Sequence, residues 1–157
     1  MTRFEKFIPI IFKNEGFLSN DKYDSGGLTK YGISQTSYPN LDIKNLTKEQ
    51  AEQIYKKDYY DRVKADLIEN ELLALHLFDM AVNAGVGRAI RMLQRVVDAH
   101  IDGIIGSQTI KYANQNDYSD AFIKERLNFY HTIGVGKNAR FLTGWVNRVR
   151  NTTNAIK

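Results

Sequence analysis

Cysteine is absent from the 157 residues, which excludes disulfides and thiolate metal sites and lets the fold form in either redox compartment. Histidine is scarce: His76, His100 and His131 stand far apart, without the i,i+4 spacing of helix-borne metal ligands. Each is read as a packing or surface residue, and neither a metal nor an organic cofactor is expected. No apolar run approaches the roughly 20 residues needed to cross a bilayer, so no integral membrane segment is expected. The opening stretch MTRFEKFIPIIFKNEGF threads Arg3, Glu5, Lys6 and Lys13 among its apolar residues, which breaks the unbroken core of a secretory signal. The expectation is synthesis in the cytoplasm as a soluble chain. Acidic residues are missing from the last stretch, where Lys137, Arg140, Arg148, Arg150 and Lys157 stand without one Asp or Glu. The rest of the chain carries 17 basic and 18 acidic residues. A basic end can attract nucleic acid, anionic lipid or acidic polymers, or simply offset a helix dipole. No basic recognition helix in a helix-turn-helix pattern accompanies it, so no nucleic-acid partner is expected.

What is present suits one domain with a real core: 43% hydrophobic and 25% charged residues over 157 positions. No linker, low-complexity tract or internal repeat interrupts it. Thr2 with Glu5 reads as a capping box opening a first helix, whose stripe is Phe4, Phe7, Ile8 and Ile11. Pro9 conflicts with that helix and predicts a kink or a later start. Gly16 is a natural C-cap. Residues 17–34 lose the helical period, and Asp24-Ser25-Gly26-Gly27 predicts a turn in a small hairpin. Thr47 with Gln50 opens a helix to about Tyr60. An apolar helix spans 68–84, Gly85 and Gly87 break it, and the next helix carries Ile90, Leu93, Val96 and Val97. Asp102-Gly103 and Gly106 mark a turn before helices near 107–114, 118–133 and 138–153. The fold class is α+β, predominantly α-helical, with a small β-hairpin near the N-terminus.

Glu15 continues the stripe of Phe4, Ile8 and Ile11 at the end of the first helix. Partial desolvation and the helix's carbonyl end both favour the neutral carboxyl, as a general acid requires. A solvated helix-end glutamate is the plain alternative. Four of the chain's 11 glycines (Gly16, Gly26, Gly27 and Gly32) fall close after it, in a loop that lets a bulky ligand approach. Asp24 in a more polar setting would stay ionised and hold water or offset charge growing on a sugar ring, with Thr29 sharing that water. Alternatively, Asp24 serves only its own backbone in an Asx-turn. Asp79 and Asn83, four apart on the apolar helix, either line a cleft or form a buried pair that fixes packing. Trp145, the sole tryptophan, is core filler or a sugar platform.

The run Glu15-Gly16-Phe17, followed by Asp24-Ser25-Gly26-Gly27-Leu28-Thr29-Lys30-Tyr31-Gly32-Ile33-Ser34, resembles the EGGY…D-x-GG-x-T-x-x-GI pattern of glycoside hydrolase family 108. That family contains N-acetylmuramidases and secretion-activator proteins. Phe78-Asp79-Met80-Ala81-Val82-Asn83-Ala84-Gly85 is similar to its FD-x-AVN-x-G block, and Ala89 with Leu93-Gln94 to its A-x-x-x-LQ step. Asp102-Gly103-Ile104-Ile105-Gly106 with Thr109 resembles the DG-x-x-G-x-x-T turn of its peptidoglycan-binding half. Arg126, Phe129-Tyr130, Phe141, Gly144-Trp145 and Arg148 resemble its closing R-x-x-FY and F-x-x-GW-x-x-R elements. Two departures stand out: Phe17-Leu18 replaces the second glycine and tyrosine of EGGY, and Tyr59-Tyr60 replaces a Tyr-Trp pair.

The resemblance implies a lysozyme-like fold in a single muramidase domain over 1–157. About 1–86 would be the catalytic half, and about 87–157 a helical half resembling a peptidoglycan-binding region. It implies hydrolysis of the β-1,4 bond between N-acetylmuramic acid and N-acetylglucosamine, with Glu15 as acid. Asp24 and Thr29 follow from the similar Glu-Asp-Thr order of phage-type lysozymes, as does a lean toward inversion. Gly26, Gly27, Tyr31, Tyr60, Asp79 and Asn83 would contact the glycan. The implied partner is peptidoglycan, reached by a monomer through a holin or other export route, with action at the wall or periplasm. The alternatives are a non-catalytic peptidoglycan-binding or secretion-accessory protein and a lytic transglycosylase.

Overall fold

Thr2 accepts a hydrogen bond from the Glu5 backbone at 3.0 Å, and Glu5 returns one to the Thr2 backbone at 3.2 Å. This capping box satisfies two orphan donors and starts helix α1, Arg3–Glu15. In this computed structural model, residues 1–16, 22–24 and 27–156 are described, with 22–24 and 27 described by their backbone. Helix α1 runs through Pro9 from its Thr2 cap, so the later start anticipated from the proline does not occur. Pro9 lies on the exposed side, where water can serve the carbonyl that its missing N–H leaves without a helical partner. Phe4, Phe7, Ile8, Ile11 and Phe12 are buried, each contributing roughly 1.5–3 kcal/mol of transfer free energy.

Three short strands follow in antiparallel order: β1 (Lys22–Asp24), β2 (Gly27–Lys30) and β3 (Ile33–Ser34). The predicted hairpin is present, and β3 extends it beyond the sequence reading. Ser25 and Gly26, the middle of the predicted turn, lie outside the described residues. A second capping box, Thr47 with Gln50, opens α2 (Lys48–Tyr55), and the helix widens to a π turn over Lys56–Tyr60. The chain forms two compact units, Met1–Asp58 and Tyr59–Lys157. The apolar helix lies within the second unit.

That helix, α3 (Glu71–Ala84), starts later than expected because Asn70 caps it, accepting from the Leu73 backbone at 2.9 Å. Leu73 through Ala81 are all buried, so α3 is the axis of the second unit. Around it pack α4 (Val86–Val96), α6 (Ser119–Ile133) and α7 (Leu142–Asn154). Gly85 alone breaks α3 from α4, at φ 104°, a conformation that L side chains rarely adopt. Gly87, expected to share that role, lies inside α4. Helix α5 (Ser107–Ala113) is short, and a 3-10 segment at Gly136–Phe141 delays the last helix to Leu142. No helix among the described residues is long and apolar enough to cross a membrane.

A buried carboxylate must be paired, and Asp79 on α3 is wholly buried. Arg126 Nη2 of α6 donates to its Oδ2 at 2.8 Å, and Arg148 Nη2 of α7 to its Oδ1 at 2.8 Å. Arg126 Nη1 also donates to His76 Nδ1 at 2.9 Å. His76 must then carry its proton on Nε2, which meets Thr153 Oγ1 at 2.9 Å. Burial, with the Arg126 guanidinium adding to it, pushes the His76 pKa down to about 3.

Asp79→Asn should lower the stability of the chain by about 3–5 kcal/mol, because two buried guanidiniums lose their counter-charge; denaturant unfolding measures it, and a loss below about 1 kcal/mol would contradict the account. His76 is neutral when folded and takes a proton near its ordinary 6.5 when unfolded. Stability should therefore decline as pH falls below about 6.5, at up to about 1.4 kcal/mol per pH unit, toward the folded-state value. Unfolding curves of wild type and His76→Gln across pH 7 to 4 should separate this loss, with the flatter profile in the variant.

Candidate active site

Glu15 is the last residue of α1, and Gly16 closes the helix in the left-handed conformation at φ 73°. The Gly16 N–H turns back to the carbonyls of Lys13 and Phe12, a Gly-dependent stop that ends the helix at the glutamate. Glu15 is half-buried. It is neither lost in the core nor fully water-bathed. The helix arrives there with a fixed orientation because Phe12, three residues earlier, is buried. The Phe12 ring meets Tyr55 edge-on at 5.4 Å and Tyr31 at 6.1 Å.

Tyr31 and Gly32 form the two-residue turn between β2 and β3, with φ of 50° and 81°. Two positive φ values match the type I′ hairpin turn, in which a bulky residue such as tyrosine is uncommon. Its neighbours hold it there. The Tyr55 hydroxyl donates to the Tyr31 carbonyl at 2.8 Å, and the Lys30 ammonium lies 6.0 Å from the Tyr31 ring centre. The end of α1 and the β2–β3 turn are thus joined through one aromatic group, Phe12, Tyr31 and Tyr55.

Thr29, two residues before that turn, is 9% exposed, and its hydroxyl has no hydrogen-bond partner among the described residues. A buried hydroxyl without a partner is costly, on the order of 1–3 kcal/mol. Such a group is a candidate for holding a substrate or a catalytic water. In the strand register Asp24 faces Gly27 and Lys22 faces Thr29. Positions 24, 27 and 29 therefore share one phase of the pleat. Of the expected site residues, Gly26 lies outside the described residues, and Asp24 and Gly27 are placed by their backbone.

Three expected glycan contacts lie in the second unit. The expected glycan contact of Tyr60 is corrected: its ring is fully buried, edge-on to Phe78 at 5.1 Å, with its hydroxyl on Asp66. Asp79 takes the packing alternative, since both of its oxygens are held by arginines in the core. Asn83 is half-buried and accepts a hydrogen bond from the Tyr130 hydroxyl. Trp145 stacks on Tyr130 at 5.5 Å and leans on Phe141 at 5.7 Å, so one face of its ring is used in packing. No group of three His, Asp or Glu among the described residues is placed to hold a metal ion.

Sequence reasoning missed the buried arginines and the role of Gln94. Arg126 stands four residues from both Phe122 and Tyr130, on the buried stripe of α6, and that spacing could have marked it as internal. Gln94 is buried, and its amide oxygen accepts from the backbones of Asp102 and Gly103 at 3.1 and 2.9 Å. Its nitrogen lies within 2.9–3.2 Å of Asp102 Oδ1, the Ile104 carbonyl and Thr109 Oγ1. One glutamine thereby shapes the whole 102–109 turn. Hydrogen bonds from the Ile104 backbone and Gln94 hold the exposed Asp102 carboxyl below its ordinary pKa.

The model of the family described as Glycosyl hydrolase 108 matches residues 8–85. The model described as Predicted Peptidoglycan domain matches residues 88–150. A solved structure, that of SagA from Brucella abortus, aligns with a TM-score of 0.77 at 31% identity, covering 98% of this chain and 93% of that one. No curated protein matches the chain.

Thr29→Val keeps the shape of the side chain and removes the unpartnered hydroxyl. Thermal unfolding should show stability unchanged within about 1 kcal/mol, or raised. A loss above about 2 kcal/mol would mean that the hydroxyl has a structural partner.

Proposed function

Because the chain belongs to the glycosyl hydrolase 108 family, we propose that it hydrolyses peptidoglycan at the β-1,4 bond between N-acetylmuramic acid and N-acetylglucosamine. The observation that carries this reading is the half-buried Glu15 at the carbonyl end of α1. Partial desolvation and the negative end of the helix dipole both favour its protonated form. A neutral carboxyl there can give its proton to the bridging oxygen as the glycosidic bond breaks. Water then supplies the hydroxyl to the anomeric carbon and gives up one proton to a base, and proton exchange with solvent returns Glu15 to its acid form.

Asp24 and Thr29 are the proposed partners of that water. The Asp24 carboxylate takes up its proton or offsets charge on the oxocarbenium-like sugar, and the Thr29 hydroxyl fixes its position. Thr29 suits that work because burial leaves its hydroxyl in need of a partner. A carboxyl separation of about 6.5–9.5 Å leaves room for the water and inverts the anomer, whereas about 5–5.5 Å makes Asp24 a nucleophile with retention. Inversion is the outcome proposed, by similarity to phage-type lysozymes. Gly26, Gly27 and Tyr31 would let a sugar approach the β1–β3 sheet closely.

A second reading, a protein that holds glycan without cutting it, is favoured by the match of residues 88–150 to a peptidoglycan-domain model. Turbidity loss of purified peptidoglycan separates the two. Wild type should clear the wall, and Glu15→Gln should be slower by about 10²–10⁴-fold. Equal clearing by both would remove Glu15 from the acid's role, and clearing by neither would leave the binding reading. Mass spectrometry of the fragments should find a reducing muramic end; an anhydro end would make the enzyme a lytic transglycosylase.

A further inference from the structure

Arg88, Arg91 and Arg95 are exposed and stand three and four residues apart on α4, so they share one face. The residues between them, Ala89, Ile90, Met92 and Leu93, are buried. Along the arginine face, between α4 and α6, lies a groove of about 320 Å³ whose lining includes the three arginines, Glu125, Asn128 and Phe129. The arginines are seated rather than free-floating. The Arg88 guanidinium lies over the Phe129 ring, 4.9 Å from its centre. Arg91 Nη1 would come within 3.0 Å of a Cβ on Gly103, the residue whose backbone Gln94 holds. Absence of a side chain at Gly103 gives Arg91 its place beside the turn. Among the described residues, Arg95 has a carboxylate nearby, Glu125 at 3.8 Å. The described lining thus sets three guanidiniums against one acid, beside an aromatic wall.

We propose that this groove binds the carboxylates of the peptide stems carried by peptidoglycan strands, an inference that rests on the wall-directed reading above. A guanidinium offers two parallel N–H donors that match a planar carboxylate, and three at helical spacing suit successive carboxyl groups along a short peptide. Phe129 and Met92 supply apolar wall for the intervening methyl and methylene groups. Glu125 favours a peptide over a phosphate polymer. It can accept an ammonium group of a stem residue, whereas a polyanion charged at every repeat would meet it without compensation.

The test uses the full chain and a soluble N-acetylglucosaminyl-N-acetylmuramyl tetrapeptide, which lacks the bond proposed for cleavage, so binding is read apart from turnover. Titration calorimetry at low salt should show affinity falling by about tenfold or more when the peptide carboxyls are amidated. Arg91→Glu should cause a loss of the same order, and Arg91→Gln, gentler at this exposed position, a smaller one. Equal affinity for free and amidated peptide would overturn the proposal, as would unchanged binding by both variants. Tighter binding of an oligomeric glycerol phosphate than of the free muropeptide would also overturn it. If Glu15→Gln still clears the wall while the carboxylate dependence persists, the acid assignment falls and the groove stands. If the carboxylate dependence alone is missing, the groove assignment falls by itself.

Discussion

A carboxylate buried between two guanidiniums sets the arrangement of the second unit. Asp79 projects from the most apolar helix of the chain, where an unpaired charge would cost several kcal/mol. Arg126 and Arg148 meet it from α6 and α7, so three helices distant in sequence are fixed to one point. His76 sits beside Arg126 in the same buried cluster, and its burial first, with the Arg126 charge adding to it, holds it neutral. The hydrogen-bond geometry is demanding, which is why the cluster specifies the packing more than it adds net stability. It also changes the meaning of the basic C-terminal stretch, because Arg148 is turned into the core rather than offered to a partner.

The first unit is organised by rings instead of charges. Phe12, Tyr31 and Tyr55 hold the acid-bearing end of α1 and the β2–β3 turn together. Their contact constrains where the end of α1 and strand β2 can stand. Tyr31 keeps an uncommon positive φ, and such strain persists only where surrounding contacts over-determine it. Next to this group the buried Thr29 hydroxyl has no hydrogen-bond partner among the described residues.

The motif residues divide accordingly. Asp79, Arg126 and Arg148 spend their polar atoms inside the core, Gln94 spends its amide on the 102–109 turn, and the Asn83 oxygen is taken by Tyr130. Glu15, Thr29 and Tyr31 lie in the glycine-rich front of the chain. The arginines of the α4–α6 groove belong to no quoted motif and present charge to solvent. Several of the residues shared with the family therefore build the frame.

Local order was open to reading from the residues alone. The two capping boxes, the Gly16 stop, the hairpin and the helices over 71–84 and 119–133 rest on contacts three or four residues apart, which spacing reveals. Glu15 as a half-buried helix-end carboxyl was legible for the same reason, since it continues an apolar stripe. Tyr60, Asp79 and Gln94 were not, because side-chain type does not say whether a polar group finds its partner in water, in a ligand or forty-seven residues away, as Asp79 does in Arg126. Short-range hydrogen bonds and periodicity are written in sequence. The pairing of buried charges is decided only when the chain closes on itself, because only then does desolvation force each one to find its counterpart.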